Sequence, residues 1–238
     1  MKKDFLKYSM HNLTYKFNNN DNEMSWVMED EEKIFKKNLK KFPDKMQYWV
    51  ENPFTYTVNK YGYRCPSFSI KKTKKRLLTV GCSHTFGQAQ PENEIWPRIV
   101  ADELELELYN LGVPGGSSDT VYRVINKWLK VIKPDLIIWF NAPNTLSRHE
   151  KFDNDTLYNF GPWQTNGRWH VNDRYQKFYF KKNFHAVKYL TQGIPLLRQD
   201  NWAGSQQQYA RDLDHRGQLD HSLLALEILG KVKNNDYS

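Results

Sequence analysis

A three-layer α/β/α fold around a mainly parallel sheet is predicted by three observations. Short apolar runs recur at residues 77–81, 106–111, 136–140 and 194–197. Segments with apolar residues at helical spacing separate them, the clearest carrying Val121, Val124, Ile125, Trp128, Leu129 and Ile132. Each run ends in small or polar residues, as a strand does where it breaks into a loop. Strand and helix in alternation imply βαβ units with right-handed crossovers, which gather the carboxyl ends of all strands on one edge.

The elements follow in order. Residues 1–53 are a polar extension rich in Lys, Asn, Asp and Glu, with an exposed helix expected over residues 29–41. Residues 54–75 are read as a β-hairpin lead-in and connector, because residues 54–58 alternate as a strand and Asn59 to Arg64 supply turn chemistry. The main domain occupies residues 76–238. Its first strand ends at Gly81, and Pro97 near the first turn favours a helix over residues 95–104. The second strand closes in Gly112, Gly115 and Gly116, and Pro134 ends the next helix. Residues 145–173 form a long aromatic and polar insertion, a length typical of functional or disordered loops. A helix over residues 173–192, a short strand and a helix from Gly217 complete the chain.

Composition narrows the function classes. The 238 residues carry a net charge of +8, with 39% hydrophobic and 15% aromatic side chains, enough for a cored domain with a wet surface. The lysines are scattered rather than striped, which disfavours nucleic acid as the partner. Cys65 and Cys82 are the two cysteines, too few for a disulfide framework. No apolar run approaches the ~20 residues of a membrane span, and the first residues lack a secretory h-region. The expectation is a chain that is cytoplasmic as synthesised. No His/carboxylate cluster has metal-ligand spacing, and the glycine run at 112–116 lacks the Lys of a phosphate loop, so no cofactor is expected.

Chemistry concentrates at Gly81-Cys82-Ser83-His84-Thr85-Phe86-Gly87. A serine at the carboxyl end of a buried strand can be aimed at a ligand, but it needs a base and oxyanion donors. Later loops carry Gly115, Asn144 and the pair Asp212/His215, whose spacing lets one turn place both side chains together. Cys82 is read as a small buried side chain, His84 as lining the site, and His221 as packing near the start of the last helix.

Together these blocks resemble the SGNH (GDSL-like) hydrolase superfamily over residues 76–229. The first block resembles Gly81-Cys82-Ser83 with Gly87. The second resembles Asn110-Leu111-Gly112-Val113-Pro114-Gly115, and the fifth resembles Asp212-Leu213-Asp214-His215 followed by His221. The lead-in from Val58 to Arg64 is similar to that of some microbial and phage members. The resemblance implies a flavodoxin-like fold and a metal-free esterase acting on small acyl esters, such as an O-acetyl group on a glycan. Ser83 would be the nucleophile, His215 the base and Asp212 its orienter. Ser83, Gly115 and Asn144 would form the oxyanion hole. Two departures stand out. Cys82 replaces the usual Asp, and Ala142-Pro143-Asn144-Thr145 replaces Gly-x-Asn-Asp, leaving Asn141 as an alternative donor. The other reading is a weakly active or inactive binding or structural protein of this fold, assembled as an oligomer or on a virion. Trp139, Trp163, Trp169 and Trp202 would suit carbohydrate stacking if they lie near the site.

Overall fold

The structure is a computed structural model that describes residues 22–27, 30–69, 71–142, 146–153, 156–161 and 173–238. In chain order its elements are β1 (Asn22–Met24), α1 (Glu32–Lys41), α2 (Pro43–Glu51), β2 (Tyr56–Val58), β3 (Arg76–Gly81) and α3 (Ser83–Phe86). A 3-10 turn (Glu92–Glu94) leads to α4 (Trp96–Glu103), β4 (Glu107–Asn110), α5 (Ser118–Ile132) and β5 (Leu136–Phe140). Then come β6 (His149–Asp153), β7 (Thr156–Phe160), α6 (Asp173–Leu190), β8 (Leu196–Gln199) and α7 (Gln218–Lys233).

The central sheet has the order β4-β3-β5-β8 and is parallel throughout. Side chains of successive strand residues point to opposite faces, and the core divides accordingly. Leu78, Val80, Tyr109, Ile137, Trp139 and Leu196 belong to one cluster with Val121, Val124, Ile125 and Trp128 of α5 and Phe180 and Val187 of α6. Leu77, Leu108, Leu136, Ile138, Phe140 and Leu197 belong to the other, with Trp96 and Val100 of α4 and Leu224, Ala225 and Ile228 of α7. The predicted three layers are therefore present. Both sheet faces are covered, which explains why the strands read as continuous apolar runs rather than alternating ones.

The connections locate the crevice. The chain leaves β3 through α4 on one face to reach β4, then returns through α5 on the other face to β5, on the far side of β3. The carboxyl end of β3 is thus a switch point, where loops diverge and leave room for a ligand. α5 starts with a capping box: Ser117 N–H donates to Thr120 Oγ1 at 3.1 Å and Thr120 N–H faces Ser117 Oγ. It ends at Lys133, left-handed and followed by Pro134.

Three features depart from the sequence-based expectation. The strand at residues 56–58 forms, but its antiparallel partner is β1, far upstream, so the two-stranded sheet joins the polar extension to the lead-in. The extension carries two helices, α1 and α2, the second starting at Pro43 and burying Met46 and Trp49. The insertion after β5 contains the antiparallel hairpin β6–β7. In the sequence His149, Glu150, Lys151 and Asp153 break the apolar alternation that marks a strand. A tertiary partner satisfies the Glu150 charge: Glu150 receives Arg123 of α5 in a forked pair at 2.7 and 2.8 Å, and its N–H donates to Asp119 Oδ2.

Candidate active site

β3 delivers the chain to Ser83 through a glycine that no other residue replaces. Gly81 has φ +154°, and a Cβ there would lie 2.5 Å from the Phe140 carbonyl oxygen. Cys82 then acts as the N-cap of α3, its thiol buried in the core, and Ser83 is the first residue of the helix. First-turn N–H groups have no intrahelical acceptor, so the Ser83 N–H is free of the helical ladder. Asn110, at the end of β4, fixes this turn. Its Nδ2 donates to the Thr85 carbonyl at 2.8 Å, and its Oδ1 accepts from Gly112 N–H at 3.0 Å.

Ser83, His215 and Asp212 form one hydrogen-bonded chain. Ser83 Oγ lies 2.8 Å from His215 Nε2, and His215 Nδ1 lies 2.6 Å from Asp212 Oδ2. The other Asp212 oxygen accepts the backbone N–H groups of Asp214 and His215, at 3.0 and 2.9 Å. All three side chains are buried. Burial alone would raise the Asp212 pKa; the His215 contact and the two backbone donors outweigh it and hold the carboxyl below its ordinary value. An ionised carboxylate only accepts, so Nδ1 carries the imidazole proton and Nε2 offers its lone pair to Ser83. The arrangement can take a proton from Ser83 while Asp212 stabilises the imidazolium.

Gly115 lies in a turn set by sequence. Pro114 and Gly115 occupy the central positions, Gly115 has φ +72°, and Gly116 N–H donates to the Val113 carbonyl at 2.8 Å. These are the marks of a type II turn, which requires a positive φ at its third residue. Val113 N–H donates to the Gly81 carbonyl at 3.0 Å, tying the turn to β3. Asn159 of β7 holds the Pro114 carbonyl at 3.4 Å. In a trans peptide C=O and N–H point opposite ways, so the Gly115 N–H faces away from Asn159.

Asn144, Trp163 and Trp169 lie outside the described residues. Asn141 is buried, and its amide donates to Asp200 Oδ1 at 3.1 Å, so it is engaged with the loop after β8. Trp139 is in the core between α5 and α6, away from solvent. Trp202 does reach the site: its ring is 5.1 Å from the ring of His84, which is itself 5.1 Å from His215. Among the described residues, no group of three or more His, Cys, Asp or Glu could hold a metal ion, and no helix is long and apolar enough to cross a membrane.

His221 is structural. Its Nδ1 accepts the Trp96 N–H at 3.2 Å, capping α4. Burial, then the neighbouring His215, Arg64 and Arg216, push its pKa from 6.5 down to about 3. Burial and the nearby His215 likewise lower His84 well below its ordinary value. An unfolded chain takes up a proton at His221 below pH 6.5 that the folded chain refuses, so stability is lost as pH falls from 6.5 toward 3. The slope per group is about 1.4 kcal/mol per pH unit. His221→Asn, whose Oδ1 can replace the ring acceptor, is expected to reduce the slope of unfolding free energy by about that amount between pH 6 and 4.5. Urea titrations at several pH values measure it, and parallel slopes for the two proteins would exclude the assignment.

No family model and no curated protein matches the chain. Similar solved structures do exist. One is a carbohydrate esterase whose active site displays divergent catalytic and non-catalytic binding functions, at 10% identity over 77% of this chain and 69% of that one, TM-score 0.49. An acetyl xylan esterase from the rumen bacterium Butyrivibrio proteoclasticus is 12% identical over 77% and 66%, TM-score 0.42. A Desulfitobacterium hafniense DCB-2 protein, assigned by name to the G-D-S-L lipolytic family, is 14% identical over 68% and 74%, TM-score 0.38.

Proposed function

We propose that the protein is a serine esterase of SGNH type, cleaving small acyl esters such as an O-acetyl group on a glycan. The observation that carries this reading is the continuous chain from Ser83 Oγ through His215 to the ionised Asp212, at the carboxyl edge of the parallel sheet. Ser83 Oγ attacks the ester carbonyl carbon as its proton passes to His215 Nε2. The negative charge developing on the carbonyl oxygen is met by the Ser83 and Gly115 N–H groups, with Asn144 as the third donor. Collapse breaks the bond to the alcohol oxygen, which takes the proton from His215 and leaves an acyl-Ser83. Water, deprotonated by His215, then attacks the acyl carbon; the bond to Ser83 Oγ breaks as His215 returns the proton to it, releasing the acid and free Ser83. Trp202 beside His84 supplies an aromatic wall on which a sugar ring could stack.

The test is covalent labelling with a fluorophosphonate alongside turnover of an aryl acetate. The expected result is one phosphonyl adduct, mapped by peptide mass spectrometry to Ser83, with hydrolysis lost in proportion to labelling. Absence of both adduct and turnover in the folded protein would overturn the reading in favour of a binding module.

A further inference from the structure

A junction outside the Ser83–His215–Asp212 chain joins the nucleophile loop, the acid–base loop and the polar extension. Asp30, 1% exposed, precedes α1; its partner Arg211 lies 181 residues later and directly precedes Asp212. Arg211 Nε reaches Asp30 Oδ1 at 3.1 Å and Nη2 reaches Oδ2 at 2.6 Å, while Nη2 also donates to the Ser25 carbonyl at 2.7 Å. The guanidinium lies 3.9 Å over the Phe54 ring and 4.3 Å over Trp26. Tyr56 donates its hydroxyl proton to Asp30 and accepts the Ala89 N–H at 2.7 Å. Arg211 N–H donates to the Ala89 carbonyl at 3.1 Å, and Asn38 of α1 donates to the Asp212 carbonyl at 3.0 Å.

Both loops so held are backbone-strained. Ala89 has φ +61° and Leu213 φ +59°, left-handed values that residues with a Cβ adopt only where their surroundings impose them. Leu213 stands between Asp212 and His215, so relaxation there would rotate the imidazole away from Ser83.

We propose that Asp30 is a positioning residue, which through Arg211 holds the Asp212–His215 loop in register with the nucleophile. The proposal deepens the esterase reading and rests on it for its catalytic consequence. It also makes the polar extension part of the site's support.

The test compares wild type with Asp30→Asn and, as a control at the opposite end of the sheet, Asp135→Asn, which removes the charge paired with Lys72 and leaves an amide oxygen to accept the Arg76 N–H. The readouts are kcat and KM for an aryl acetate and hydrogen exchange at the Asp214 and His215 amides. Asp30→Asn is expected to lower kcat by about 10²-fold, with KM within about twofold because the substrate wall is untouched. Exchange at the two amides is expected to rise roughly tenfold or more while β3 and β5 stay protected. The control should leave both readouts at wild-type values. If Asp30→Asn fails to fold, Arg211→Lys, which keeps the charge but loses the fork, is judged by the same criteria. Unchanged exchange at Asp214 and His215 overturns the proposal whatever the activity, as does faster exchange with unchanged kcat. A wild-type protein that neither labels nor turns over ends the esterase reading instead, and exchange alone then decides the positioning role.

Discussion

Ser83→Ala is expected to lower kcat for an aryl ester by at least about 10⁴-fold, with His215→Ala equally damaging and the double variant no worse than either. The equality follows from the geometry. Ser83 Oγ is activated only through the 2.8 Å contact to His215 Nε2, so removing either member removes the same step. Residual activity would come from the backbone donors at Ser83 and Gly115, which survive both changes. Asp212→Asn should be milder in binding but still severe in rate, because an amide can donate to Nδ1 and so favour the wrong tautomer. Steady-state kinetics on the four variants, with circular dichroism to verify folding, measure the pattern. Additive losses in the double variant would show that Ser83 and His215 do not act as a unit.

Gly112→Ala is expected to be damaging although Gly112 lies outside the hydrogen-bonded chain. A Cβ at Gly112 would lie 2.3 Å from Phe86 N and 2.7 Å from the Thr85 carbonyl carbon, both backbone atoms of the α3 turn that Ser83 begins. Neither can swing aside as a side chain would. Overpacking of this kind costs about 1–3 kcal/mol, which for a chain of this size lowers Tm by roughly 2–12 °C. Displacement of α3 should also cost about 10²-fold in kcat through misalignment of the nucleophile. Gly230→Ala is the internal contrast: Gly230 is exposed in α7 with nothing within 4 Å of a Cβ. Replacing a helical glycine there should stabilise by about 0.5–1 kcal/mol. Thermal denaturation of both variants reads the opposite signs, and a neutral Gly112→Ala would refute the packing argument.

The parts of the site legible in the sequence are those encoded over a few residues. Gly81-Cys82-Ser83 announces a strand breaking into a turn. Pro114-Gly115 specifies a type II turn with its positive φ. The three-residue step from Asp212 to His215 lets the carboxylate cap the same turn that carries the imidazole. The α5 stripe from Val121 to Ile132 was legible because its apolar spacing matches the helix period, and it is buried as that spacing requires. The hairpin at residues 149–160 was not, since the burial of Glu150 depends on Arg123, an α5 residue 27 positions earlier in the chain. Asp30 carried no signal at all. An aspartate in a polar extension reads as surface, and only the approach of Arg211 from the other end of the chain makes its burial affordable.

By itself, then, the sequence determined the layered α/β architecture and the residue types at its carboxyl edge, because strand runs, helix spacing and turn chemistry are short-range properties. Tertiary structure alone decided that Ser83 and His215, 132 residues apart, meet at 2.8 Å. It likewise decided that β2 pairs with β1 and that Asn38 of the polar extension donates to the Asp212 carbonyl. Such contacts depend on how the two sheet faces are covered and where the loops then converge, and no local pattern encodes a distance between loops.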